Sequence, residues 1–581
     1  MRTRVLAAWI VALCTAVAPR AAAADSTLLG HQGRWIVDSQ GRVRIFHGVG
    51  VMNYSPPNLP AAMGFGDKDA AFLAAHGFNL VRLGMNWSGI EPQPGVFDSG
   101  YLESILGTMR SLQAHGIYTL LDWHQDDWGL AANGIDGAPA WATLTDGLPN
   151  PSLGYGFGML GDPAQQRAFE NFWANKAGPG GIGITDRFAT MLAAYGQAFR
   201  AEPYLLGYDT FNEPNAGTQW PSCASPAGCP VFDSQLSGWF RRVLPSLRAA
   251  DPQHLIWIEP NVFFDFAANT NLQDPNGSDP DTGFDFHTYC LGDGAANAAP
   301  PIPGNGPGCA EEETMNLDNA TAYQKRSGVA LINSEWGATN DPQVVDRQTA
   351  EFDQYMLGDV FWDYNNLIPD VKGPPGGTNE NPTLLTALDR PFAPVIAGTP
   401  HAWDWKSGND TFTLHYSTTL PGGRPGSGLD SELYVPALHY PTGYSASVSG
   451  AQIVASTPTS LELRNEPGAA AVAVTVAPAT ATSGPASVTP APPAGRRCTT
   501  KRTLTVALHL RHGERIISVF VRLDGRAKHG GYLAHARRHR GALQIALTGL
   551  RSGRHVIKVT FLIRRGERTR QVLVIRRYQL C

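Results

Sequence analysis

Two glutamates in this chain of 581 residues end apolar runs: Thr210-Phe211-Asn212-Glu213-Pro214 and Ile332-Asn333-Ser334-Glu335-Trp336-Gly337. A carboxylate at the end of a buried strand is costly to desolvate unless it is paired or put to use. Two such groups facing one another suit the cleavage of a glycosidic bond. One carboxyl protonates the leaving oxygen and the other attacks the anomeric carbon, about 5–5.5 Å apart when configuration is retained. Either Glu alone has a plainer reading as a surface or capping residue; it is the pair in one frame that carries the chemistry.

Other residues at the ends of apolar runs fit the same chemistry: Arg82 with Asn86 and Trp87, Asp122-Trp123-His124-Gln125-Asp126, His287-Thr288-Tyr289, and Trp362. An arginine near Glu335 would keep that carboxyl ionised as a nucleophile, whereas burial and a like charge would raise Glu213 so that it holds its proton. Asn212 suits a hydrogen bond to a sugar 2-hydroxyl, and Trp362 offers an apolar face to a ring. The plainer readings are a satisfied core histidine for His124 and barrel packing for Trp362. His124 with Asp122 and Asp126 has ligand types for a hard cation but lacks a second histidine at ligand spacing, so neither metal nor cofactor is expected.

The elements that must position these residues are short apolar runs alternating with longer helical stretches between about 30 and 396, the pattern of repeated βα units. The runs are 43–52, 78–87, 117–124, 205–212, 254–259, 283–289, 329–335 and 359–364. Eight runs predict a (β/α)8 barrel over 25–396, with its site at the C-terminal strand ends. An open doubly wound sheet is the rival. Gly178-Pro179-Gly180-Gly181-Ile182-Gly183 fits its glycine fingerprint, but it follows a helix-like aromatic segment and reads as a turn.

Beyond the barrel, alternating runs predict a small β-sandwich over 397–477, then a Pro/Ala/Ser/Thr linker over 478–497. Residues 498–581 alternate again and are expected to form a basic immunoglobulin-like β domain. The net charge of −5 conceals a split: residues 496–581 carry 21 Lys and Arg against three acids, so the preceding chain is strongly acidic. Clusters such as Arg537-Arg538-His539-Arg540 suit an anionic envelope or lipid surface, or simply a solvated charged face. Few aromatics interleave them, and nucleic acid is not the expected partner.

Residues 1–24 read as an export signal, with Arg2 and Arg4 before an apolar run that ends in Ala22-Ala23-Ala24. No later segment has the length of a membrane-spanning helix, and a secreted monomer is expected. Past Cys14, six cysteines suit an oxidising compartment. Proximity favours Cys223 with Cys229, Cys290 with Cys309 and Cys498 with Cys581 over a zinc site.

From about 34 to 477 the sequence resembles the endoglycoceramidases of glycoside hydrolase family five. The likeness rests on Glu91-Pro92-Gln93-Pro94-Gly95, Asp122 to Asp126, Gly137-Ala138-Pro139-Ala140-Trp141-Ala142-Thr143 with Asp146-Gly147-Leu148-Pro149, Phe169-Glu170-Asn171-Phe172-Trp173, Asn212-Glu213-Pro214 and Ala397-Gly398-Thr399-Pro400. The resemblance implies Glu213 as acid/base and Glu335 as nucleophile. It also implies sugar-binding or supporting roles for Arg82, His124, Asp126, Asn212, His287, Tyr289 and Trp362. The activity it implies is hydrolysis, with retention, of the β-linkage between glycan and ceramide in a glycosphingolipid. A lipid substrate would account for the apolar loop 127–160, with Trp128, Leu130, Trp141, Leu144, Leu148, Leu153, Tyr155, Phe157, Met159 and Leu160, although ordinary loop packing accounts for it equally. The loop Val51 to Pro57 lacks the lysine associated with some members, which leaves the distal sugar open. The alternatives are another family-five β-glycosidase, such as a β-glucanase or a steryl or simple glycolipid glucosidase, and a non-catalytic glycolipid-binding envelope protein.

Overall fold

The computed structural model describes residues 27–154, 156–273, 279–290 and 308–479, and strands between 503 and 580. Two compact units separate near residue 490. In the first, eight parallel strands close into a barrel: β1 (His47–Val51), β2 (Leu80–Met85), β3 (Tyr118–Trp123), β4 (Leu205–Asp209), β5 (Leu255–Ile258), β6 (Thr282–Thr288), β7 (Ala330–Gly337) and β8 (Asp359–Trp362). Closure of β8 onto β1, with Asp359 opposite His47, excludes the open doubly wound sheet. Every residue of these strands is buried except Gly337. Burial on both faces is why the runs read as near-continuous apolar segments.

The first predicted run divides between two structures. His47–Val51 enters the barrel, whereas Val43–Arg44 pairs with Val37 and with Val395-Ile396 in a separate antiparallel sheet. That sheet has seven strands and also contains the hairpin Gly30–Gln32/Trp35–Val37, Phe392–Ile396, Asp430–Tyr434, Ala451–Thr457 and Ser460–Asn465. A second sheet contains Thr399–Lys406, Thr411–Ser417, Tyr444–Ser449 and Ala471–Pro478. One core joins the two through alternate residues such as Phe412, Leu414, Val472, Val474 and Leu461. The expected boundaries are therefore corrected: residues 30–44 and 392–396 belong to the sandwich. Short strands at the ends of a domain pair with whichever sheet edge lies open, and no local pattern reveals which one.

Helices follow the strands with the expected signals. Asp98 caps Ser99–Ala114, and Asp162 caps Pro163–Trp173 with Pro163 in the first turn. Gly178 to Gly183 forms a short 3-10 turn closed by pairing of Ala177 with Gly183, leading into helix Ile184–Phe199. Cys223 is bonded to Cys229, and Cys290 to Cys309. Among the described residues, no helix is long and apolar enough to cross a membrane. The second unit has antiparallel sheets of three and four strands, the longest Gly553–Arg565 and Arg568–Leu580. The expected signal segment 1–24, the linker past residue 479 and the Cys498–Cys581 pair lie outside the described residues.

Candidate active site

Glu335 lies near the C-terminal end of β7, where the register against both β6 and β8 shifts just after Asn333. Such a bulge re-aims the side chains that follow it. Glu335 thereby accepts hydrogen bonds from Arg82 Nη1 at 2.6 Å and Tyr289 Oη at 2.7 Å. Glu213 lies four residues past the end of β4, on a turn anchored by Phe211, whose ring sits 4.5 Å from that of Trp123. Its φ is +47°, in the left-handed region, which for a side chain of this kind costs about 1–3 kcal/mol and clusters at functional sites. One carboxylate oxygen from each glutamate and a ring nitrogen of His287 lie within 4.8 Å of one another. That separation matches the close pairing of retaining glycosidases and falls short of the roughly 6.5–9.5 Å of inverting ones.

Arg82, at the centre of β2, is wholly buried. Its Nε and Nη2 donate to Asp209 Oδ2, and Nη2 also donates to Asn212 Oδ1 and Glu259 Oε1 and approaches Asp122 Oδ1 at 3.2 Å. Burial opposes its charge, but Asp122, Asp209, Glu335 and Glu259 outweigh burial and hold it cationic. His287 sits 3.1 Å from Glu213 Oε1 through Nδ1 and 3.2 Å from Glu259 Oε1 through Nε2; its Nδ1 is 3.8 Å from Glu335. Against burial, Glu259, Glu335 and Glu213 raise it well above the ordinary histidine value.

The directions of the two carboxyl shifts differ from those expected from the sequence. Burial raises Glu213, but the hydrogen bond and charge of His287 prevail and the carboxyl lies below its ordinary value. At Glu335 burial prevails over His287 and Arg82, and the carboxyl lies above its ordinary value. The physical reason is a second cation, His287, that lies nearer to Glu213 than to Glu335.

The remaining expected residues complete the same site. His124 bridges Asp122 through Nδ1 (2.8 Å) and Asp126 through Nε2 (3.3 Å), and its ring stacks on Trp362 at 5.1 Å. Both ring nitrogens are thus engaged by carboxylates. Asp126 is tied through its backbone N–H to Asp136 Oδ1. Trp362 also lies against Arg82 and Tyr54 and reaches the cavity. Its ring fits only because residue 50 is glycine, where a Cβ would stand 2.3 Å from Trp362 Cε3. Asn212 Nδ2 donates to the Gln125 carbonyl at 3.0 Å.

Sequence reasoning missed Glu259 and the supporting use of Gln125. Glu259 ends the run Leu255-Ile256-Trp257-Ile258-Glu259-Pro260, the same signal that singled out Glu213. A cavity of about 490 Å3 opens from the two glutamates, lined by Phe157, Met159, Leu160, Val262, Phe263 and Phe266 among others. Of the apolar loop 127–160, only its last part lines this cavity. Trp128 is instead packed on Phe169 and Phe172, and Trp141 on Trp87, while Tyr155 lies outside the described residues. Trp128 lies in, and Trp141 packs against, the large core that also contains Phe211 beside the Asn212–Glu213 turn.

Residues 66–367 match the family model for cellulase (glycosyl hydrolase family 5), and residues 390–476 match the glycoside hydrolase family 5 C-terminal domain. The chain is similar to endoglycoceramidase I of Rhodococcus hoagii (strain 103S), 29% identical over 443 residues, which cover 74% of this chain and 84% of that one. It is also similar to an endoglycoceramidase of Cyanea nozakii, 32% identical over 263 residues, 40% of this chain and 50% of the relative. Among solved structures, endo-glycoceramidase II from Rhodococcus sp. in complex with a five-membered iminocyclitol superposes with a TM-score of 0.64 at 25% identity, covering 77% of this chain and all of that one. A catalytic-domain match over more than half of the sequence, on a closed barrel with glutamates paired at the ends of β4 and β7, makes this chain a member of glycoside hydrolase family 5.

Proposed function

We propose that the chain is a secreted retaining glycosidase that cleaves the bond between glycan and ceramide in glycosphingolipids. The observation that carries this reading is the continuity of the glutamate pair with a largely apolar cavity. A soluble glucan needs polar and aromatic subsites on both sides of the scissile bond, whereas an amphiphile needs an apolar cavity on its leaving-group side. The likeness to endoglycoceramidases supports the same substrate class. The two disulfides and the export-like first 24 residues support secretion. The basic residues 498–581 fit peripheral contact with a lipid or anionic envelope surface.

Glu335, oriented by Arg82 and Tyr289, attacks the anomeric carbon as the bond to the ceramide oxygen breaks. Glu213, held by His287 at 3.1 Å, delivers a proton to that oxygen. A covalent glycosyl-enzyme forms and ceramide leaves. Glu213, now a base, takes a proton from water, which attacks the anomeric carbon and frees Glu335. Trp362 and the hydrogen-bonding groups of Asn212, His124 and Asp126 act on the sugar side.

The test is incubation with glucosyl-, lactosyl-, galactosyl- and ganglioside-type ceramides beside soluble β-glucans, reading released glycan and ceramide by mass spectrometry. Intact glycan with free ceramide is the expected result, abolished by Glu335→Gln with glycolipid binding retained. Cleavage of β-glucan alone would replace the lipid assignment with another family-five activity. No turnover of any substrate would favour a glycolipid-binding protein.

A further inference from the structure

Glu213 holds a left-handed backbone immediately before Pro214, where the proline ring disfavours helical conformations of the preceding residue. Such a turn persists only if its surroundings over-determine it. Two buried side chains do so from opposite sides. Glu259 Oε2 accepts the Glu213 backbone N–H at 2.8 Å. Gln125 Nε2 donates to the carbonyls of Asn212 (2.9 Å) and Glu213 (3.2 Å), and Gln125 Oε1 is itself fixed by the Trp128 N–H at 2.8 Å. Neither side chain is among those lining the cavity.

We infer that Glu259 and Gln125 are positioning residues that clamp the Asn212–Glu213 turn and so aim the proton-donating carboxyl at the leaving oxygen. The inference rests on the reading of Glu213 as acid/base. Glu259 carries the more specific half of the clamp, because its oxygens accept from the Glu213 N–H and from Arg82 Nη2 at 3.1 Å and lie 3.2 Å from His287 Nε2, with the carboxyls of Asp209 and Asp285 also close by. An amide at this position must turn its NH2 toward one of these donors. Glu259→Gln therefore keeps the volume and breaks the clamp.

A carboxyl that is misplaced as an acid matters only when the leaving group needs a proton. The experiment compares kcat/KM for phenyl and 2,4-dinitrophenyl β-glycosides of a sugar the enzyme turns over, in the wild type and in Glu259→Gln, Gln125→Met, Glu213→Ala and the Glu213→Ala/Glu259→Gln double variant. Glu259→Gln and Gln125→Met are expected to lose roughly 10- to 100-fold on the phenyl glycoside and less than about 3-fold on the dinitrophenyl one, within the range that acid assistance supplies. Glu213→Ala should show the same contrast more steeply, and adding Glu259→Gln to it should cost little more. Equal losses on both substrates, or full additivity in the double variant, would overturn the clamp. If Glu213→Ala itself shows no dependence on leaving group, the acid/base reading fails instead. Should Glu259→Gln not fold, Gln125→Met tests the same turn from its other side, and equal losses there overturn the clamp.

Discussion

Replacing Arg82 with lysine separates the charge of this buried cation from its shape. The guanidinium reaches Asp209 with two nitrogens and Asn212 and Glu259 with Nη2, and it turns Nη1 toward Glu335 at 2.6 Å. An ammonium has one nitrogen and cannot span both ends of this arrangement. It keeps the Asp122 and Asp209 contacts and gives up Glu335, because those two carboxyls hold the cation most strongly. A hydrogen bond to a charged group contributes about 1.5–3 kcal/mol. Losing it lowers kcat/KM by about 10- to 150-fold. The sign of the pH effect follows from the same contact. His287 and Arg82 lower the Glu335 carboxyl against burial, and in the proposed mechanism Glu335 attacks as the anion. Without the guanidinium its folded value rises, and the acid limb of the kcat/KM profile moves upward with it. The assay is kcat/KM from about pH 4 to 8 on a soluble aryl β-glycoside, with a melting curve to confirm folding. A folded Arg82→Lys variant with an unmoved acid limb and a loss under about 3-fold would refute the part assigned to Arg82 in orienting Glu335 and lowering its carboxyl.

Three further outcomes are expected. Gly50→Ala drives a methyl into the Trp362 ring at 2.3 Å, so the tryptophan must leave its stack on His124; activity should fall at least about 10-fold while the Tm changes by only a few degrees. Phe263→Asp places a charge in the cavity wall and should raise KM for a ceramide glycoside about 10-fold or more while leaving KM for a short aryl glycoside within about 2-fold. Burial and Glu259 push Asp285 up to about 8, so the folded protein retains a proton that the unfolded chain releases near pH 4; stability falls as pH rises between these values, and Asp285→Asn should raise the Tm more at pH 8.5 than at pH 5. An equal Tm change at both pH values would contradict the last of these.

The sequence alone determined eight strands buried on both faces, because such strands must be apolar along their whole length, whereas closure into a barrel rests on the pairing of β8 with β1. It also picked out the two glutamates and their seven companions, because a polar residue that interrupts such a run has nowhere to go but the mouth of the barrel. The pairs Cys223–Cys229 and Cys290–Cys309 were legible from spacing. Three features came only from the tertiary structure. The hairpin at 30–37 and the strand at 392–396 join the sandwich because strand pairing depends on which sheet edge is open, a long-range property absent from local alternation. The opposite directions in which the two carboxyls are shifted follow distances of 3.1 and 3.8 Å from one histidine ring, and charge interactions in a buried site change steeply over such differences. Glu259 ended a run as Glu213 did, yet its role as a clamp needed a backbone N–H brought from another strand end. Residue types and periodicity are written along the chain, whereas the partner of each buried polar group is chosen by the fold.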